Sequence, residues 1–409
     1  MTEGKFCVNL FLTQKRANGN MKKRVAVSAF CLLLTLSAAF FVSSYSAVNE
    51  TGKKPDCYVG VSFCGNTTAE AKLLIDRVKD FTNLFVLLSG PVSVNETATN
   101  EICQYAADAG LSFIVFFGDL TPSILPEEYR WRLPWLNYAK QRWGDRFLGV
   151  YYYDEPGGTQ LDYNWNESEF FPFFYNFTSR DYDWAEQYYM YGLANDPGIV
   201  GLQARSIDIF TSDYALYWFD YSVGYTAVFA EAGWNHSLNQ DIALVRGAAK
   251  MQNKSWGTIA TWKYFNPPYL DDADSILEQM RAAYECGAEY IIIFNYPTLD
   301  GNDYGIMTDE HFQALEQFWN DTVKNPEVIH GSIEAEAALV LPKNYAWGMR
   351  NPNDKIWGFW DSDEKSPQIW ALLNSLLEQY GYGLDIVYDD PEFPVEGNYS
   401  HIYYWNQSG

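Results

Sequence analysis

The chain has 409 residues, about two domains' worth, and 48% of them are hydrophobic, ample for a large core. Its 52 acidic residues against 28 basic ones leave a formal charge of −24, which repels phosphate backbones and anionic lipid surfaces and excludes nucleic acid as a partner. Aromatic residues make up 18% of the chain, with 15 Trp and 31 Tyr; this fits surfaces that stack on flat, partly apolar ligands such as sugar rings, or equally a large aromatic core.

Residues 1–48 read as targeting sequence. From Met21, a candidate true start, "MKKRVAVSAFCLLLTLSAAFFVSSYSAV" gives a basic start, an apolar stretch from Val25 to Val42 and small residues from Ser44 to Ala47, the order of a secretory signal. The apolar stretch is at the lower length limit for a membrane helix, so an uncleaved N-terminal anchor, attaching the protein to a membrane, is the alternative. Both place the remainder outside the cytosol, secreted or at the cell surface. Ten Asn-x-Ser/Thr sequons support that placement: Asn49, Asn66, Asn95, Asn166, Asn176, Asn235, Asn253, Asn320, Asn398 and Asn406. Of the six Cys, Cys7 and Cys31 lie in the leader. The even number remaining (Cys57, Cys64, Cys103, Cys286) is expected to form one or two disulfides outside the cytosol.

After residue 56, strand-like runs alternate with helix-like ones. The strand-like runs are 57–63, 83–90, 111–118, 147–155, 207–213, 225–232, 256–264 and 288–297. Segments such as "TAEAKLLIDRVKDF", "LPWLNYAKQRW" and "DADSILEQMRAAYECG" carry helical spacing, several ending at Gly or Asn, and "DEHFQALEQFWNDTVKN" follows the eighth strand. Near-continuous apolar strands alternating with helices predict a parallel sheet covered on its outer face, and eight such units over about 260 residues match a (β/α)8 TIM barrel, assigned to residues 55–328. Residues 158–206 are too long for one crossover and predict an excursion over the barrel mouth. From residue 333 to 409, "AEAALVLPKNYAWG", "SPQIWALLNSLLEQYG", "LDIVYDD" and "HIYYWN" predict strand, helix, strand and strand, a partial open α/β (flavodoxin/glutaminase-like) unit.

A barrel with acids at its strand ends, followed by "ALVLPKNYAWGMRNPNDKIWGFW" and "WALLNSLLEQYGYGLDIVYDD", resembles the family 42 β-galactosidases, in which a catalytic barrel is joined to a glutaminase-like α/β domain. The resemblance implies a glycoside hydrolase with a catalytic Glu after an Asn at the end of strand 4 and a nucleophilic Glu at the end of strand 7. Here strand 4 ends "YYYDEP" without the Asn, and strand 7 ends "ATWKY" without a carboxylate.

Glycoside hydrolysis needs two carboxyl groups across the scissile bond, and a parallel barrel gathers its active residues at the C-terminal ends of the strands. The acids there are Asp154 and Glu155 (strand 4), Asp213 (strand 5) and Glu231 (strand 6). A residue before proline favours extended geometry, so Glu155 is expected to continue the strand's alternation, with Asp154 on the opposite side. Glu155 is assigned as general acid and Glu231 as the opposing carboxylate, their carboxyl groups roughly 5 to 10 Å apart; Asp154 or Asp213 would orient a partner or raise its pKa. Strand-end acids also cap helices, the structural reading of Asp154 and Asp213. Trp234, Trp262, Lys263, Tyr264, Asn295 and Tyr296 occupy the same rim as candidate sugar-binding residues or as core and rim aromatics. Cys57 opens strand 1 and Cys286 closes the helix before strand 8, neighbours at the barrel bottom, so a Cys57–Cys286 disulfide is expected, leaving Cys64 and Cys103.

Four His without metal-ligand spacing argue against a zinc site. With no P-loop, G-x-G-x-x-G or G-x-S-x-G motif present, no cofactor is expected. The function expected is therefore an exported carbohydrate hydrolase, with a non-catalytic surface glycan-binding or envelope protein on the same barrel as the alternative.

Overall fold

Each predicted strand is apolar nearly end to end because it is buried on both faces, inward against the barrel axis and outward under a helix. The structure, a computed structural model, describes residues 54–118, 120–121, 125–165, 180–233, 236–264, 266–296 and 301–407. The leader, the sequons at Asn49, Asn166, Asn176 and Asn235, part of the expected excursion and Trp234 lie outside them. Strands β1 (Tyr58–Phe63), β2 (Leu84–Leu87), β3 (Ser112–Phe116), β4 (Phe147–Tyr151), β5 (Asp208–Asp213), β6 (Ala227–Ala232), β7 (Ser255–Ala260) and β8 (Tyr290–Ile293) pair in sequence order, and β1 closes on β8. All these pairings are parallel. The protein is a TIM barrel, as the alternation of apolar runs predicts. The strands are shorter than the apolar runs, whose last residues turn into the loops of the mouth.

Helices cover the outer face: α1 (Thr68–Val78), α2 (Gly90–Ser93), α3 (Glu96–Asp108), α4 (Arg132–Trp143), α5 (Pro156–Asp162), α6 (Tyr182–Ala194), α7 (Pro197–Gln203), α8 (Tyr217–Val223), α9 (Leu238–Gln252), α10 (Ala273–Glu285) and α11 (Asp309–Phe318). Their starts are written in the sequence. Thr67 and Glu70 form a capping box on α1, Glu70 N donating to Thr67 Oγ1 at 3.2 Å while Thr67 N donates to Glu70 Oε2 at 2.9 Å. Asn95 and Asp272 cap α3 and α10 by accepting from Ala98 N and Ser275 N.

Inside the barrel, Phe210, Phe229 and Tyr290 meet at ring-centroid distances of 5.4 to 5.8 Å, and Tyr58 stacks on Tyr290 at 5.3 Å. On β6 the period of two points Ala227 and Phe229 inward and Val228 and Ala230 outward, so Glu231 falls on the inner side. On β5 Ile209 faces out and Phe210 in, placing Ser212 inward and Asp213 outward. On β4 the register against β3 skips Leu148, with Phe113 opposite Phe147 but Ile114 opposite Gly149. Phe147 faces out; this bulge turns Gly149 and Tyr151 in. Gly149 has φ 150°, and a Cβ there would lie 2.2 Å from Asp208 O, so no larger residue fits.

The predicted partial α/β unit is present as β9 (Ala337–Leu341), α12 (Ser366–Tyr380), β10 (Leu384–Tyr388) and β11 (His401–Tyr404), a parallel three-stranded sheet in the order β10-β9-β11. It is fixed to α9 by a buried ion pair, Arg246 Nε to Asp385 Oδ1 at 2.8 Å. Arg246 also donates to Tyr382 O and Leu384 O, and Tyr399 OH donates to Asp385 Oδ2 at 3.0 Å, so both charges are hydrogen-bonded as burial requires. Gly247 lets the backbones meet, since a Cβ there would lie 2.5 Å from Ile386 O.

The expected Cys57–Cys286 disulfide is not formed, nor is one between Cys64 and Cys103; all four are buried free thiols. The bottoms of β1 and β8 do adjoin, but the two thiols face different elements. Cys57 Sγ lies 3.8 Å from Tyr58 O beside Glu289, whereas Cys286, the C-cap of α10, is turned toward Arg246 and Asp385. Burial pushes the Cys286 thiol up to about 11 and Cys64 up to about 12, which keeps them protonated and unreactive. No helix among the described residues is long and apolar enough to cross a membrane.

Truncating one partner of the Arg246–Asp385 pair strands the other charge. Asp385→Ala is expected to cost about 3 to 5 kcal/mol in urea denaturation. Replacing both partners by apolar side chains in the double variant R246M/D385L is expected to recover most of that loss; equal losses in the single and double variants would contradict this account.

Candidate active site

The site begins where β4 stops. The chain leaves Tyr151 and passes through two residues with left-handed backbone, Tyr153 (φ 57°) and Glu155 (φ 50°, ψ 53°), before Pro156 opens α5. The expectation that Glu155 continues the strand is corrected. Pro156 pushes the residue before it toward extended backbone, but Glu155 takes the left-handed region instead, which turns the chain sharply back over the barrel. Such conformers cost of order 1 to 3 kcal/mol each and persist only where neighbours hold them.

The neighbours are on β5. Glu155 N donates to Ser212 O at 3.1 Å, and Thr211 Oγ1 donates to Tyr153 O at 2.9 Å. Asp213 accepts from Gly157 N at 2.5 Å and Gly158 N at 2.9 Å, in the first turn of α5, and from Tyr214 N and Ala215 N at 2.8 and 3.1 Å. A Cβ on Gly157 would sit 2.6 Å from Ala215 O, so the contact requires glycine. Asp213, a candidate catalytic acid by sequence, is thus a fully buried helix cap facing away from the barrel axis.

Behind this cap lies a second carboxyl. Tyr189 OH donates to Asp220 Oδ1 at 2.5 Å, while Asp220 Oδ2 is buried with no donor facing it and Asp220 is hydrogen-bonded to Asp213. Two carboxyls bond to each other only by sharing a proton. Burial pushes both up, Asp213 further raised by the charge of Asp220, and Asp220 reaches about 8. The four N–H groups aimed at Asp213 work against that rise, and the two carboxyls share one proton between them.

The mouth itself gathers the other three acids. Glu231 is 3% exposed on the inner side of β6 and accepts from Ser212 Oγ at 2.7 Å. The Ser212 and Tyr151 hydroxyls lie 2.8 Å apart, Ser212 N donates to Tyr151 OH at 3.0 Å, and Tyr151 OH donates to Asp154 Oδ1. Glu155 is hydrogen-bonded to Glu231. The two acids thus converge over the mouth. Burial raises the Glu155 carboxyl and the charge of Asp154 raises it further, against the hydrogen bond to Glu231, which lowers it. Asp154 is raised by burial against the hydrogen bonds of Tyr151 and Ser212. It is enclosed by protein on most sides yet reached by solvent, the situation of a group on a crevice wall.

Of the rim candidates, Trp262 and Tyr296 come together at 5.1 Å, with Phe294 at 6.2 Å from Trp262, and Tyr296 is 45% exposed. Tyr264 is exposed, while Lys263 is held by Asp271 at 2.6 Å. Asn295 is buried and structural: its Oδ1 accepts from Ile306 N at 2.9 Å and its Nδ2 donates to Tyr304 O. Sequence reasoning missed Tyr151 and Ser212. Alternation on β5 would have found Ser212, but the Leu148 bulge hides the inward turn of Tyr151. Among the described residues no group of three or more His, Cys, Asp or Glu is arranged to hold a metal ion.

A carboxyl whose folded pKa is raised adds stability that is complete below its unfolded value and is lost as pH rises through the folded one. For Asp220 that window runs from about 4 to about 8. Asp220→Asn keeps an acceptor for Tyr189 and supplies a permanent donor to Asp213. It is expected to flatten the fall in urea midpoint between about pH 5 and pH 8; an unchanged fall would contradict the shared proton.

No family model matches the chain, and no curated protein matches it. In fold it is similar to the GH5_18 glycoside hydrolase from Streptomyces cattleya in complex with GlcNAc, with a TM-score of 0.51 and 11% identity over 86% of this chain and 99% of that one. It is also similar to D-psicose 3-epimerase from Clostridium cellulolyticum H10 with D-tagatose, with a TM-score of 0.36 and 11% identity over 64% of this chain and 97% of that one. A third similar structure is a xylose isomerase-like TIM barrel protein from Mycobacterium smegmatis in complex with magnesium, with a TM-score of 0.36 and 12% identity over 66% of this chain and 99% of that one. Identity this low shows the fold alone, a TIM barrel.

Proposed function

We propose that the barrel mouth hydrolyses a glycosidic bond through Glu155 and Glu231, on a protein that acts outside the cytosol. The observation carrying this reading is the hydrogen-bonded contact between the two acids, delivered from β6 and from the turn after β4. A pair of carboxyls sharing one proton is already divided into an acid and a base. Glu155, raised by burial and by Asp154, is assigned as the acid that protonates the leaving oxygen. Glu231, oriented by Ser212 Oγ, is the partner assigned to act on the sugar's anomeric carbon or on a water beside it. Asp154 sets the proton affinity of Glu155 without touching the bond, and Trp262 and Tyr296 offer ring faces on the β7–β8 side. The glutaminase-like α/β unit of the family 42 arrangement has no chemical role in this reading. Exposure of all six sequon asparagines among the described residues, Asn66, Asn95, Asn253, Asn320, Asn398 and Asn406, supports action outside the cytosol.

A second reading, glycan binding without hydrolysis, is favoured by one feature of the same contact: the acids leave no gap of roughly 5 Å or more for the scissile bond, so a bound sugar has to part them.

The two readings separate on activity. Against a panel of aryl glycosides and polysaccharides, Glu155→Gln and Glu231→Gln are each expected to lower the rate by about a hundredfold or more; no hydrolysis of any substrate, or near-full rates in both variants, leaves glycan binding. Activity is expected to fall as pH rises through the raised pKa of Glu155. Asp154→Asn removes a like charge, lowers that pKa and should move the alkaline limb to lower pH; a limb that stays in place or moves up contradicts the assignment.

A further inference from the structure

Beside the mouth, α5, the residues that follow it and α6 enclose a cavity of about 510 Å³. That is the size of a site for a ligand larger than one sugar ring. Its walls are aromatic: Tyr163 is 47% exposed, Tyr188 39% and Tyr191 75%, and Trp165 meets Tyr163 at 4.7 Å and Tyr188 at 5.9 Å, both edge to face, while Tyr188 is backed by a stacked Trp184 at 5.5 Å and Trp165 by Phe359 at 5.0 Å. Rings set at right angles give the cavity faces of more than one orientation, which suits puckered rings joined in a chain better than a single planar ligand. Among the described residues that line it none is Lys or Arg, so none of them would neutralise a carboxylate, sulfate or phosphate on the ligand. Asp154 is common to both places. It lines the cavity, and its Oδ1 accepts from Tyr151, in the hydrogen-bonded row that ends on Glu231.

We infer that this cavity is a saccharide subsite, in which uncharged pyranose rings of an extended glycan stack while the bond to be cleaved lies over Glu155 and Glu231. The substrate class is then a neutral oligo- or polysaccharide rather than a single sugar or an acidic glycan, an inference that rests on the glycosidase reading. Stacking on the tyrosine and tryptophan rings supplies the affinity, and the Asp154 carboxylate takes a ring hydroxyl where the cavity meets the mouth.

Gly192 supplies a test that does not remove a packed ring. It lies in α6 on the cavity wall, and a Cβ built there meets nothing within 4 Å. Gly192→Phe therefore puts a side chain into open space while improving helix propensity. Binding is measured by calorimetry on the full chain carrying Glu155→Gln. The probes are neutral gluco-, manno-, galacto-, xylo- and N-acetylglucosamine oligomers of increasing length, with an oligogalacturonate and choline for comparison. One neutral series is expected to tighten with length. Gly192→Phe should weaken its longer members by about tenfold and Tyr188→Ala by about two- to tenfold, with neither altering the monosaccharide. Affinity independent of length, an isotherm unchanged by Gly192→Phe, preference for the acidic oligomer, or binding of choline alone overturns the subsite. Hydrolysis is scored separately: turnover lost in Glu155→Gln together with length-independent binding sinks the subsite and spares the glycosidase, whereas length-dependent binding by a protein without turnover does the reverse.

Discussion

The site depends on one buried carboxylate, Asp213, holding the start of α5 against the end of β5. By accepting from Gly157 N and Gly158 N it fixes where α5 begins, and so fixes the left-handed turn through Tyr153 and Glu155 that precedes it. With the hydrogen bonds from Glu155 N to Ser212 O and from Thr211 Oγ1 to Tyr153 O, that anchor offsets the conformational cost of the turn. The anchor is costly to bury, and the protein meets the cost by sharing a proton between Asp213 and Asp220. One of the two acids ending "YYYDEP" is thereby placed by an acid on the next strand.

The other half of the site follows from strand geometry alone. Period-two alternation on β6 carries Ala227, Phe229 and Glu231 to the inner face, and on β5 it separates two adjacent residues by role, Ser212 inward to orient Glu231 and Asp213 outward to cap a helix. Ser212 is the hinge between these halves. Its side chain contacts Tyr151 and Glu231, and its carbonyl accepts from Glu155 N, so the wall that orients one carboxyl also holds the backbone of the other.

The barrel was legible because both faces of each strand are apolar and each helix begins at a readable cap, as Thr67 and Asp272 illustrate. The inward position of Glu231 was legible for the same reason. The geometry of Glu155 was not, since the preference for extended backbone before proline is overridden here by contacts from β5 that a local rule does not see. Nor was the role of Tyr151, because a bulge of one residue at Leu148 reverses the alternation that follows it. The disulfide expectation failed at a finer level: strand order places Cys57 and Cys286 in one neighbourhood, but side-chain direction at a helix C-cap decides what a thiol faces, and Cys286 faces the Arg246–Asp385 pair.

The central claim is that Asp213 positions Glu155 so that it and Glu231 titrate as one pair. Carboxyl-carbon NMR of the two glutamates across pH tests it directly, in the wild-type chain and in Asp213→Asn, which weakens the cap. The account predicts two coupled steps in the wild type, the upper one above the ordinary Glu value of about 4.3, and loss of that coupling in Asp213→Asn. Two independent titrations near about 4.3 in the wild-type protein, or coupling that survives unchanged in the variant, would contradict it.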